Sequence, residues 1–237
     1  MSPALNASLN LVMFGRAIWE LDEERVSGQF VVDAVKDLQA RHAEPVRRYH
    51  TLAHVNEVLA EVDRLEGAIY RDASARSGFE DWELAECVRL AACFHDAVYD
   101  PTAEHGASEA ASAELATHVL GEQLRVQDRF VREIDRLIRL TVGHEVESDD
   151  VAGQVLVDAD LWILSSPAER YSRYALAVRA EYAHVPDDLW AAGRGAVLTR
   201  FLDGIEALYR AGSPLDQQAR RARATNNLRR ELATLTR

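Results

Sequence analysis

Apolar residues recur along this chain at three- and four-residue steps, and no stretch sustains the alternation of a strand. Leu84, Cys87, Val88, Ala91, Phe94 and Val98 form one such stripe. Val131, Ile134, Leu137, Ile138 and Thr141 form a second, and Trp190, Val197, Phe201, Ile205 and Leu208 a third. That period lines one face of an α-helix. Abundant Ala, Leu, Glu and Arg suit helices as well. The pattern predicts helices near 7–22, 27–43, 51–67, 81–99, 106–121, 126–143, 152–164, 167–184, 187–210 and 214–235. Start signals agree: Ser166-Pro167-Ala168-Glu169, Ser213-Pro214-Leu215-Asp216, and Pro186 followed by two aspartates. Loops are expected at 68–80 and 100–107, neither with the character of a linker. The expectation is an all-α chain, one compact domain over 1–237 made of nine or ten helices. Residues 211–237 supply a C-terminal docking helix held by Leu228, Leu232 and Leu235.

Composition narrows the function classes. The 237 residues hold 27 Lys and Arg against 39 Asp and Glu, a net charge of −12. That balance opposes general nucleic-acid binding. The last 27 residues carry six arginines against Asp216 and Glu231, a local +4 that leaves −16 on the rest. Those arginines are expected in solvent or paired to acids. No apolar run reaches the roughly 18 residues of a membrane span. The opening stretch mixes polar residues with apolar ones and turns acidic, so no signal peptide is expected. Cys87 and Cys93 are too few for a disulfide scaffold and fit a reducing cytoplasm. A monomer and a homodimer are both compatible with this surface.

Three places set His and Asp inside apolar helical patterns. In Tyr49-His50-Thr51-Leu52-Ala53-His54 the two histidines are four apart and share a face if helix runs through both. The alternative is a structural pair. In Phe94-His95-Asp96-Ala97-Val98-Tyr99-Asp100, His95 falls one turn after Ala91 on the buried stripe. Asp100 falls one turn after Asp96. A carboxylate buried there needs a cation or hydrogen bonds, and the alternative is an aspartate exposed at a helix end. In Val155 to Leu164, Asp160 falls within the stripe of Leu156, Val157, Leu161 and Leu164. Asp158 points roughly 160° away, as a surface or supporting carboxylate. Together His54, His95, Asp96 and Asp160 make a mixed nitrogen and oxygen set. It suits Mn, Fe, Co, Ni or Zn, with Mg allowed. His42, His105 and His184 are read as surface residues.

These residues resemble the HD superfamily of metal-dependent phosphohydrolases, and in particular a branch of small HD phosphohydrolases. That branch shows R-x-Y-H-x-x-x-H, F-H-D-x-x-Y-D, T-x-x-H, D-A-D-L and Y-x-x-Y-x-x-x-(I/V)-R-x-E-Y. This chain has Arg47 to His54, Phe94 to Asp100, Thr141-Val142-Gly143-His144, Asp158-Ala159-Asp160-Leu161, and Tyr171 to Tyr182 with Val178, Arg179, Glu181. The resemblance covers about residues 10–235. It implies an HD-like helical domain and makes His54, His95, Asp96 and Asp160 the ligands of a divalent ion. One ion per chain is expected, because the branch's Asn-Glu pair is replaced here by Ser108-Glu109 and serine is a poor ligand. His144 is the further imidazole, for a second ion or for substrate. Asp158 and Glu109 support the ligands. Asp100 stands where related hydrolases place an acid that positions or deprotonates water. Tyr99 replaces the Glu before it.

The activity this implies is hydrolysis of a phosphate ester of a small molecule, nucleotides among the candidates, by water activated on the metal. Arg47, His50, Arg179 and Arg194 would hold phosphate oxygens. Arg179 and Arg194 have a second reading, as partners of Glu181 or Asp187. Tyr171, Tyr174 and Tyr182 are read as core. Two other classes stay open. A di-iron oxygenase of HD type would need His118 and His144 in the cluster. A non-catalytic nucleotide- or partner-binding module would keep only the fold.

Overall fold

The computed structural model describes residues 11–21, 28–68 and 78–235. Among them are ten α-helices and no strand. The helices are α1 (Leu11–Leu21), α2 (Gly28–Arg41), α3 (Leu52–Leu65), α4 (Asp81–Phe94) and α5 (Ala107–Thr117). They continue with α6 (Asp128–Leu140), α7 (Val151–Asp160), α8 (Ala168–Glu181), α9 (Asp187–Asp203) and α10 (Pro214–Leu235). Each matches one predicted helix. Residues 7–10 of the first predicted helix and 69–77 of the predicted loop lie outside the described residues. Among the described residues, no helix is long and apolar enough to cross a membrane.

Helix ends differ from expectation more than helix positions do. The helix expected over 81–99 stops at Phe94, so His95 and Asp96 stand in the turn that follows. The one expected over 187–210 stops at Asp203. α7 tightens into a 3-10 turn at Leu161–Ser165, and α5 widens into a π turn at His118–Gln123.

The chain divides into two compact units, Met1–Ala159 and Asp160–Arg237. In the first, α4 is central and packs against α1, α3, α5 and α6. Its sequence is apolar on almost every face, and Leu84 through Phe94 are buried except for half-buried Arg89. A capping box starts it: the Glu80 N–H donates to the Glu83 carboxylate at 2.8 Å, and the Glu80 side chain accepts in return. Glu83 is in turn held by Arg129 at 2.6 Å. α7 is buried all round from Val155 to Ala159. A Cβ on its Gly153 would lie 2.8 Å from Leu140 Cδ1 and closer still to the Asp150 carboxylate, so those side chains would have to shift.

In the second unit, α10 packs against α9, α8 and the 3-10 turn. Leu228 is fully buried as expected, but polar groups share the docking. The Asn227 amide donates to the carbonyls of Leu164 and Ser166, both at 2.9 Å. Arg223 donates to the Ser165 carbonyl at 3.0 Å and the Tyr209 hydroxyl to that of Leu161 at 2.9 Å. These bonds satisfy carbonyls at the end of a helical run, which are left over by its geometry. Ser213 caps α10 through the Asp216 N–H at 3.3 Å. At α8, Pro167 takes the cap position and no side chain caps it, in place of the expected Ser166.

Asn227→Ala removes the donor of two carbonyls in a buried setting. It is expected to cost about 2 kcal/mol, the usual penalty for buried unsatisfied groups. Urea unfolding checks this, and a loss under about 0.5 kcal/mol would show that those carbonyls find other donors.

Candidate metal centre

His54 is the third residue of α3, buried beneath its first turn. His50 precedes the helix, so the pair is not on one helical face. Their rings nevertheless lie 5.9 Å apart. His95 caps the C-terminus of α4, with Asp96 next to it. The His95 N–H donates to the Ala91 carbonyl at 2.9 Å, which fixes its backbone. His95 Nδ1 lies 2.9 Å from the Ala92 carbonyl oxygen. A carbonyl only accepts, so Nδ1 carries a proton and Nε2 is the ring nitrogen turned the other way. That Nε2 is 3.2 Å from His54 Nε2 and 3.1 Å from Asp96 Oδ2. His54 Nε2 is 3.5 Å from the same oxygen. Among the described residues, these three form the one group of three or more His, Cys, Asp or Glu residues with converging ligand atoms.

The spacing fits a metal. Ligand atoms about 2.1 Å from an ion stand about 3.0 Å apart at right angles and about 3.4 Å apart at tetrahedral angles. The observed separations of 3.1 and 3.2 Å lie within that range and the 3.5 Å one just above it. Both imidazoles are buried, while the Asp96 side chain keeps 16% of its surface. Burial pushes the Asp96 carboxyl up, but the charges of His95 and His50 and the hydrogen bonds from His54 and His95 outweigh it. The acid is held well below the usual carboxylate range.

The loop that carries Asp96 is fixed from two sides. Arg47, buried, donates to the carbonyls of His50 at 3.0 Å, Asp96 at 2.8 Å and Ala97 at 3.1 Å, and pairs with Glu44 at 3.1 Å. On the other side, Ser112 Oγ accepts from the Val98 N–H at 3.0 Å and donates to its carbonyl at 3.2 Å. One turn earlier on α5, Ser108 Oγ accepts from the Asp100 N–H at 3.1 Å. The two serines are loop anchors. Glu109 beside them is half-buried.

The remaining expected site residues are placed as follows. His50 is half-buried and stacks on Tyr99, ring centres 4.4 Å apart. Asp100 lies outside the helix expected to carry it and is exposed. Its Oδ1 accepts from the N–H and hydroxyl of Thr102 at 2.8 and 2.6 Å. Asp158 is buried and Asp160 only half-buried, the reverse of the expected facing. The cause is that α7 has no exposed face over this stretch, so the helical wheel does not sort the two. Asp160 is the last residue of α7 and the first of the second unit. His144 adopts a left-handed backbone (φ 58°) and its N–H donates to the Leu140 carbonyl at 2.9 Å, closing α6. His118 is exposed beside Glu122. Within the second unit, Arg179 donates to the Tyr182 and Val185 carbonyls and pairs with Asp187 at 2.6 Å. Arg194 is buried and pairs with Glu231 at 2.8 Å. Tyr171 and Tyr174 are core. The Cys93 thiol, fully buried, is pushed up to about 12, which leaves it no nucleophile.

His42 corrects the expectation most sharply. It is 2% exposed. Burial and the Arg47 charge lower its pKa to about 4, against weaker upward pulls from Asp96 and the His50 backbone. A signal existed: Ala34, Val35 and Leu38 are buried and His42 continues their stripe at the next turn.

Compared with protein-family models, curated proteins and solved structures, the chain finds no match.

The lowered pKa of His42 sets a pH dependence. Unfolded, the ring takes its proton near 6.5, and folded only near 4, so between those values the unfolded state binds more protons. Acidification from pH 7 to 4 is therefore expected to remove about 3 kcal/mol through this residue. Asp96 adds its loss only below the ordinary carboxylate range. Urea unfolding of metal-free protein across that window, beside His42→Phe, measures the effect. Equal slopes in the two proteins would remove His42 as the cause.

Proposed function

We propose that this chain is a metal-dependent phosphohydrolase of HD type, acting on a phosphate ester of a small molecule. The observation that carries the reading is the convergence of two imidazole nitrogens and one carboxylate oxygen at ligand-to-ligand spacing. His54, His95 and Asp96 would hold the divalent ion. The absence of thiolate from the donor set favours Mn, Fe, Co, Ni, Zn or Mg over softer ions.

When bound, the ion supplies a polarised phosphoryl oxygen and a water acidic enough to lose its proton near neutral pH. The residues of the chain do the rest. The Ala92 carbonyl holds the Nδ1 of His95, so Nε2 is the nitrogen that would face an ion. Arg47 holds the main chain of Asp96 and leaves its carboxylate free to ligate. His50, half-buried beside the triad, would donate to a phosphate oxygen. Asp100 would take or orient the proton of the attacking water, which requires it to exchange its Thr102 bonds for that role.

Elemental analysis of protein purified without chelator or histidine tag tests the reading. The same sample is assayed on phosphomonoesters, nucleotides and cyclic nucleotides with Mn, Co, Ni, Mg and Zn. About one metal per chain with hydrolysis is the expected result. Asp96→Asn should lose metal and hydrolysis together, to background, and full activity in that variant would sink the proposal. Metal without turnover would leave a binding module. Two irons with oxygen consumption would replace hydrolysis by oxygenation.

A further inference from the structure

Tyr99 lies between Asp96 and Asp100 in the segment after α4, and the proposed chemistry gives it no part. Its backbone is fixed on both sides. Ser112 Oγ bonds the N–H and the carbonyl of Val98, at 3.0 and 3.2 Å, and Ser108 Oγ accepts from the Asp100 N–H at 3.1 Å. The Tyr99 ring then lies 4.4 Å from that of His50, centre to centre, with 31° between the planes. The Arg47 guanidinium carbon is 5.4 Å from the Tyr99 ring centre, and the same guanidinium donates to the His50 carbonyl at 3.0 Å. Arg47, Tyr99 and His50 thus close a ring of contacts that joins the segment after α4 to the segment before α3.

His50 is met by two further rings, Tyr49 at 5.0 Å and His54 at 5.9 Å, both edge-on. Of these three neighbours, Tyr99 is the one that lies near-parallel and covers a face of the imidazole. The nitrogens of an imidazole lie in the plane of the ring, so a contact on the face fixes the ring without engaging them. His50 is half-buried, and its ring stands beside His54, a member of the triad. A binding side chain keeps its geometry when packing locks its rotamer, and a misplacement of about 1 Å is enough to lose most of its effect.

We propose that Tyr99 is a positioning residue, its ring holding the His50 imidazole in the orientation in which it would meet a phosphate oxygen of the substrate. This rests on the reading of the triad as a metal centre and of His50 as a phosphate contact. Tyr99 acts through His50 and touches neither the ion nor the phosphate.

Inorganic phosphate binding to the cobalt-loaded protein, followed by the visible absorption of cobalt, tests this with no substrate known. His50→Ala is expected to weaken phosphate about tenfold, the worth of one charge-assisted hydrogen bond. Tyr99→Leu fills space without a flat face and is expected to lose about as much. Tyr99→Phe keeps the face and is expected to bind near wild type. The double variant is expected to bind no more weakly than His50→Ala alone, because residues that act through one another do not add. Cobalt affinity is expected to stay near wild type in every variant. Phosphate affinity near wild type in Tyr99→Leu overturns the proposal. So does a loss in Tyr99→Phe equal to that in Tyr99→Leu, or additive losses in the double variant, or a loss of cobalt affinity that accounts for the loss of phosphate. If Tyr99→Leu does not fold, Tyr99→Met is read by the same criteria. Absence of a nuclear Overhauser contact between the His50 and Tyr99 rings in the native protein overturns the stack whatever the variants do. Wild-type protein that takes up cobalt and ignores phosphate removes the roles of His50 and Tyr99 and leaves the metal centre standing. Wild-type protein that takes up no cobalt removes the metal centre itself.

Discussion

The geometry around the triad depends on one guanidinium. Arg47 reaches from the segment before α3 to the segment after α4 and bonds carbonyls on both. A guanidinium has five N–H donors in a rigid plane, so one side chain can fix several carbonyls at once, which lysine's single ammonium cannot match. The Tyr99 ring lies beside it, 5.4 Å from the guanidinium carbon to the ring centre. His54 belongs to one of the two joined segments, and His95 with Asp96 to the other. Without that tie, the ligand atoms would depend on two independent helix ends, and helix ends fray.

Burial then dictates the chemistry. An ionised carboxylate among buried groups costs several kcal/mol unless compensated. The inner edge of Asp96 faces His54 and His95. On the proposed reading, a divalent ion would supply the rest of the compensation. The Ala92 carbonyl holds the Nδ1 proton of His95, which makes Nε2 the nitrogen turned toward His54 and Asp96.

Periodicity made the ten helices legible, because an apolar stripe is set by local geometry that tertiary structure seldom overrides. It did not show where they end. The stripe through Ala91 and Phe94 continues to Val98 in sequence, yet the helix stops at Phe94 because Arg47, Ser108 and Ser112 bond the backbone that follows. Those partners come from distant segments and leave no periodic trace. The triad residues are legible one by one from His and Asp on apolar stripes, and the resemblance groups them. Periodicity alone does not bring them together, since that depends on how α3 and α4 pack. Asp158 and Asp160 were misjudged for a different reason: a helix wheel sorts residues only when one face sees solvent. Ser108 reads in sequence only as a poor ligand, whereas its hydroxyl and that of Ser112 one turn on are well placed to hold a loop.

Magnitudes also settle which arginines are available for a phosphate. Arg194 is buried against Glu231, and separating such a pair costs about 3–5 kcal/mol. A charge-assisted hydrogen bond to an anion returns about 1.5–3 kcal/mol. Recruiting Arg194 to substrate is therefore uphill, and the Tyr174 hydroxyl at 3.2 Å adds to what must be broken. Arg179 is tied to two carbonyls as well as Asp187 and faces the same arithmetic on a smaller scale. Arg47 is committed to the backbone around the triad. On the proposed reading, phosphate recognition near the triad would fall to the half-buried His50 and to an ion held by His54, His95 and Asp96.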